Sequence, residues 1–230
     1  MTCLLKNKSI ALLASLALVA CGGGGGGGTI AGGGVSGTGV GTISGFGSVK
    51  INDIRTFAVD ANTQFFLDDT PVADQAALEA LLCGGGSCGS SNPGMVARVD
   101  IGDDVSPDFT SGTAVTVNAF NQVKGPITGT APLAALEQNL IVTGDTVLEN
   151  IPGNNVVNLV NGDVVEVSGF DNGNNTILVT RIEFKGNNNS GILEWKLVGT
   201  ANNVVANTSF TIGNQLVQLN GVVPRDCVGG

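Results

Sequence analysis

Cys83 and Cys88 flank Gly84-Gly85-Gly86-Ser87, a spacing at which two thiols can close a small loop as a disulfide. In an oxidising compartment such a bridge is expected, and on the chain-entropy account it stabilises by about 2 kcal/mol. Free thiols are one alternative. A metal site is another, but the chain has no histidine, so the further ligands must come from Cys227 or from carboxylates. Cys227 has no evident partner of its own. Paired carboxylates occur at Asp68-Asp69 and Asp103-Asp104; glycosidase-type acid and base work needs two such groups facing one cleft, and solvated loops account for these pairs without it. Asp171-Asn172-Gly173-Asn174-Asn175 is similar to part of a calcium loop, yet it lacks the alternating Asp series and the terminal Glu. An Asn-Gly hairpin turn is the simpler reading. With neither His nor Tyr present, Ser-His-Asp and Cys-His dyads are excluded. No catalytic residue, metal or cofactor is therefore assigned.

The elements that must hold these residues are strands. Of 230 residues 36 are glycine and only 4% aromatic, a composition of many turns and few large core side chains. Alternation of apolar and polar residues marks Val49 and Ile51, Phe57 and Val59, Val165 and Val167, and Ile177, Val179, Ile182 and Phe184. One segment has helical periodicity. From 72 to 82 it places Val72, Ala76, Leu78, Leu81 and Leu82 on one stripe, with Thr70 as cap and Pro71 as first helical residue.

A weak repeat divides the chain. The first unit, 42–124, offers strands at 41–46, 48–52, 56–61 (extending toward Leu67), 95–101 and 113–123, with the helix between the third and fourth. The second, 125–186, offers 126–129, 140–144, 146–149, an apolar piece at 156–160, then 163–170 and 176–185. Asn161-Gly162-Asp163-Val164-Val165 follows the pattern of Pro93-Gly94-Met95-Val96-Ala97. Three strands, a helix or turn, then two strands is the element order of the OB-fold, so the expected fold is all-β, with tandem small five-stranded Greek-key barrels. Generic antiparallel meanders are the alternative. Residues 191–230 look like an incomplete third unit, because three alternating strands cannot close a five-stranded barrel; the alternative is that 191–223 simply adds strands to the second unit.

Lys6 and Lys8 precede an apolar run from Ile10 to Ala20. At 1.5 Å per residue it is too short to span a bilayer core, and it reads as a signal peptide over 1–20. Leu18-Val19-Ala20-Cys21 resembles the bacterial lipobox, which implies acylation of Cys21, with an ordinary signal peptide as the alternative. Gly22 after that cysteine implies an outer-membrane destination in a Gram-negative bacterium. Residues 21–41 form a Gly-rich tether spanning roughly 25 Å as a flexible coil; a phosphate-cradling loop is excluded because no Gly-Lys-Ser/Thr follows. Beyond residue 20 the chain holds 8 basic and 19 acidic residues, the basic ones scattered singly in sequence. That pattern excludes nucleic acid as a partner.

Gly41-Thr42-Ile43-Ser44-Gly45-Phe46-Gly47-Ser48-Val49, Val123-Lys124-Gly125-Pro126-Ile127, and Val165-Glu166-Val167-Ser168-Gly169-Phe170 with Thr180-Arg181-Ile182-Glu183 resemble the repeats of a bacterial lipoprotein family built from domain of unknown function 5666. The resemblance runs over nearly all of the chain after the tether and transfers no catalytic residue. The resulting expectation is a non-enzymatic, lipid-anchored envelope protein that acts as a binding or structural module. Its expected partners are the membrane, through the lipid anchor, and a neutral glycan or an envelope protein. A carboxylate-dependent hydrolase is the competing class.

Overall fold

A computed structural model describes residues 37–89, 91–187 and 195–221. Residues 1–20, read from sequence as a signal peptide, lie outside the described residues, as do Cys21 and Cys227.

The first barrel contains β1 (Gly37–Gly45), β2 (Val49–Ile51), β3 (Arg55–Ala58), β6 (Val96–Ile101) and β7 (Ser111–Ala119). Its first three strands form a meander, β6 returns antiparallel beside β1, and β7 closes the ring by pairing parallel to β3. Two further short strands, β4 (Gln64–Leu67) and β5 (Thr70–Val72), extend the sheet from the far end of β7, and α1 (Gln75–Leu82) follows them. The second barrel repeats this order with β8 (Val123–Thr130), β9 (Leu133–Ala135), β10 (Gln138–Ile141), β12 (Asp163–Asp171) and β13 (Thr176–Asn187). Here β11 (Val147–Glu149) pairs parallel to β13, as β4 does to β7, and two 3₁₀ turns stand in place of the helix. Both rings are closed five-stranded barrels of OB connectivity, and closure removes the edges that small sheets otherwise expose.

Inward alternation fills each barrel. Ile43, Val49, Ile51, Phe57, Val99 and Val117 are fully buried in the first, and Val123, Val165, Val167 and Ile182 in the second. Gly41 has to be glycine, since a Cβ there would collide with Ile51 and Asn52.

Several boundaries differ from the sequence reading. Gly37–Gly41 are not tether but strand, hydrogen-bonded along β6. Thr70 and Pro71 do not start the helix: they lie in β5, turned back onto β4 by Asp68 and Asp69, both at positive φ, and Asp74 is the cap, accepting from the Ala77 N–H at 2.8 Å. The 56–67 run is two strands, divided by a loop in which the Asp60 carboxylate accepts the Asn62 and Thr63 N–H groups. The first unit's last strand stops at Ala119, and the second barrel starts at Val123.

Within 191–230, the described residues form β14 (Lys196–Leu197), which pairs with β8, and a meander of β15 (Ala201–Val205), β16 (Ser209–Ile212) and β17 (Gln215–Gln218). Leu197, Phe210, Ile212 and Leu219 join the second barrel's core. The β16–β17 turn sits on that barrel: Asn175 Nδ2 donates to Asn214 Oδ1 at 2.8 Å, and Gln138 Nε2 donates to the Ile212 carbonyl at 3.2 Å.

Candidate functional site

Because side chains alternate across a strand, the register of the second barrel lays out two rows. Leu197, Val123, Val167, Ile182 and Leu148 stand in line across β14, β8, β12, β13 and β11 and face inward. Their neighbours Lys196, Lys124, Glu166, Glu183 and Glu149 stand in line on the opposite face. Arg181 and Lys185 flank Glu183 at period two on the same strand.

This charged face looks toward the first barrel across a cleft of about 470 Å³, a volume typical of small-molecule sites. The facing wall is mostly aliphatic, with Leu67, Pro71, Val72, Leu81, Leu82 and Met95 from β4, β5, α1 and the residue before β6, interrupted by Asp68, Thr70 and Asn121. Four of the seven basic residues among the described ones line this cleft, namely Lys124, Arg181, Lys185 and Lys196. Residues far apart in sequence thus converge, and with Asp68, Glu166 and Glu183 as the acidic lining the cleft carries one excess positive charge in an acidic chain.

Every carboxylate oxygen of the two glutamates is engaged. Glu166 Oε1 meets Lys124 Nζ at 2.9 Å and its Oε2 meets Lys185 Nζ at 3.4 Å; Glu183 Oε1 meets Lys185 Nζ at 2.8 Å and its Oε2 meets Arg181 at 3.2 Å. Burial works against the charge of Lys185, but the Glu183 hydrogen bond and the Glu166 and Glu183 charges outweigh it and hold the ammonium above the usual lysine range.

The barrels are locked around this cleft by three contacts. Arg181 Nη1 donates to the carbonyls of Leu82 at 2.9 Å and Pro93 at 3.2 Å, both in the first barrel's segment. Ser168, fully buried, accepts the Val96 N–H at 2.8 Å and donates to the Phe120 carbonyl at 2.9 Å. Lys196 reaches Asp68 at 2.6 Å, and Asp68 also accepts the backbone and side-chain N–H groups of Asn121. Asp68, read from sequence as a solvated loop residue, is instead part of the seam.

Cys83 and Cys88 stand as a disulfide with Cα atoms 5.2 Å apart. Glu79 Oε1 supports the loop by accepting the Ser87 hydroxyl at 2.6 Å and the Cys88 N–H at 2.9 Å. Alkylation of the native protein without reductant is expected to leave both cysteines unlabelled, and reduction to lower the unfolding free energy by about 2 kcal/mol; ready labelling of either would disprove the bridge. Asp104, by contrast, stays in an exposed loop, where the hydroxyl and N–H of Thr113 hold its carboxyl below the usual aspartate range. Asp171 closes a hairpin, accepting the Gly173 N–H at 2.8 Å, with Gly173, Asn174 and Asn175 all at positive φ. Among the described residues no three Cys, Asp or Glu side chains converge as metal ligands.

The segment that carries the charged row can also be placed by comparison. Residues 122–183 match the domain of unknown function DUF5666. The DUF5666 match begins one residue before β8 and ends within β13, so it covers the second barrel and does not extend over the first. Comparison with curated proteins and with solved structures gives no match.

Proposed function

We propose that the chain is a lipid-anchored envelope protein, sorted to the outer membrane of a Gram-negative bacterium through acylated Cys21, which works without catalysis by holding an envelope component between its two barrels. The observation that carries this reading is the cleft itself, where a mostly aliphatic wall faces a row of fixed charges. A non-catalytic role is favoured because all four oxygens of Glu166 and Glu183 are bonded to cations, which leaves none free to act as general acid or base. On the second barrel the second and third strands and the loop between the last two strands, which carry ligands in OB-folds, are partly occupied by the chain's own Ile212 and Asn214. That occupation favours the cleft as the binding place. We also read the first barrel as a diverged second copy of the same domain, on the strength of the shared closing order.

Two measurements test the proposal. Mass spectrometry of the mature N-terminus is expected to find an acylated Cys21, and an unmodified terminus at another residue refutes the anchor. Native mass spectrometry of the chain extracted from its envelope is expected to show a bound small molecule that Leu81→Glu releases; extraction of an empty chain counts against the cleft.

A further inference from the structure

The two barrels differ at one mouth. In the second, the starts of β10 and β13 meet where the Asn139 N–H donates to the Asn175 carbonyl at 2.8 Å; in the first, the Thr56 N–H donates to the Thr110 carbonyl, also at 2.8 Å. Arg55 and Thr110 therefore stand where Gln138 and Asn175 stand. The second mouth is covered. Gly213, in the turn between β16 and β17, lies so close over it that a Cβ would collide with Asn175 and Gln138. The Gln138 amide donates to the Ile212 carbonyl, and Phe210 and Ile212 enter the barrel core. In the first barrel the 102–110 loop fills the mouth from within, through Val105, and among the described residues the core takes nothing from outside 43–119.

What that loop leaves uncovered is apolar. Ile54, 73% exposed, and Phe109, 45% exposed, each lie two residues ahead of the paired Thr56 and Ser111. Phe109 is held at φ 57°, a costly conformation for a bulky side chain that persists only where its surroundings enforce it. Here Ser106 and Asp108 enforce it by accepting hydrogen bonds from Thr110, while the Phe109 N–H donates to the Ser106 carbonyl. Among the described residues no ion pair or side-chain hydrogen bond engages Arg55. A donor without a partner thus occupies the position from which Gln138 holds the hairpin of the other barrel. The loops 52–54 and 102–110 add four exposed carboxylates, Asp53, Asp103, Asp104 and Asp108, to this one cation.

We propose that the mouth of the first barrel docks a β-hairpin of another protein, its turn lying over Ile54 and Phe109, a turn carbonyl bonded by Arg55, and basic residues on its flanks. The hairpin seated on the second barrel is the precedent for the backbone contact, and the excess of carboxylates selects the basic flanks. Neither Ile54, Arg55 nor Phe109 lines the cleft, so this surface is tested apart from it.

The probe is a cyclised copy of the β16–β17 hairpin, residues 209–218, carrying Ser209→Lys and Gln218→Lys. It is titrated calorimetrically into the full chain carrying Cys21→Ser, so that no detergent is required. One hairpin is expected to bind per chain. Affinity should fall roughly tenfold in Ile54→Asp and in Phe109→Gly, as for withdrawal of a large apolar side chain from a contact. Neither change threatens folding by its backbone, since Ile54 is exposed and glycine accepts the positive φ. Arg55→Leu should weaken binding about tenfold, whereas Arg55→Gln, which installs the donor of the second barrel, should stay within about threefold of the parent. A probe with glutamate at both end positions should bind at least about tenfold more weakly, and the lysine probe should weaken with added salt. Leu81→Glu, in the cleft, should change nothing. Absence of binding overturns the proposal. So does binding that Ile54→Asp, Phe109→Gly and Arg55→Leu all leave intact, because the probe then exchanges with the chain's own hairpin on the second barrel. Equal binding of the glutamate probe overturns the basic partner. A neutral oligosaccharide that binds and is lost in Phe109→Gly, with no binding of the hairpin, makes the mouth a sugar site and overturns the protein partner.

Discussion

Arg181→Ala is expected to destabilise the protein by about 3–5 kcal/mol, the range seen when one partner of a buried ion pair is removed. The guanidinium is 5% exposed and meets three acceptors at once: the Leu82 and Pro93 carbonyls and the Glu183 carboxylate. Alanine leaves all of them without this donor at a seam from which water is largely excluded. Arg181→Lys should restore only part of the loss, because one ammonium cannot reproduce the planar fork that spans both carbonyls and the carboxylate. Urea unfolding followed through Trp195, the single tryptophan, reports on the second barrel, and circular dichroism reports on both. In the parent the two signals should change together. In Arg181→Ala they should separate as the barrels lose their coupling, and coincident transitions with unchanged midpoints would show that Arg181 does not fasten them.

Ser168→Ala is expected to cost about 2–4 kcal/mol. Its hydroxyl accepts the buried Val96 N–H and donates to the Phe120 carbonyl, and each buried polar group left unsatisfied costs about 1–3 kcal/mol. No larger side chain is removed, so cavity formation contributes little. Hydrogen exchange gives the discriminating readout: a loss of about 2 kcal/mol at the seam corresponds to roughly thirtyfold faster exchange of the Val96 amide. Exchange at Val96 unchanged from the parent would show that the Ser168 hydroxyl is dispensable there.

Much of the barrel architecture could be read from alternation. Val165, Val167, Ile177 and Val179 announce their strands, and the position of the helix between the third and fourth strands distinguishes a barrel from a plain meander. The misplaced elements have local causes. Thr70-Pro71 is a sound helix-start signal, but the Asp68-Asp69 turn folds it onto β4 first, and Asp74 competes successfully as cap. The hairpin of β9 and β10 turns through Leu136 and Glu137, both at positive φ, and neither residue type advertises such a turn. The cleft was less accessible. Arg181, Glu183 and Lys185 at period two could be assigned to one face of one strand from sequence alone. Their partners could not, since Lys124 comes opposite Glu166, and Lys196 beside Lys124, only through the pairing register of separate strands. Counting the cations as scattered singly was correct along the chain and wrong in space.

The passage from β7 to β8 takes only Phe120, Asn121 and Gln122, and all three are held. Phe120 N–H bonds to the Val96 carbonyl, Asn121 N–H to Asp68, and Gln122 N–H to the Val167 carbonyl, while the Gln122 carbonyl accepts from Val198. A pull applied along the chain therefore meets no slack between the barrels. Tension passes from one to the other through bonds of the first barrel, the second barrel and the strand β14 region together, so the pair should extend as a single stiff body before either ring opens. Should the proposed anchor at Cys21 hold the chain to a surface by one end, that stiffness would transmit drag on the far end to the anchor instead of absorbing it at a hinge.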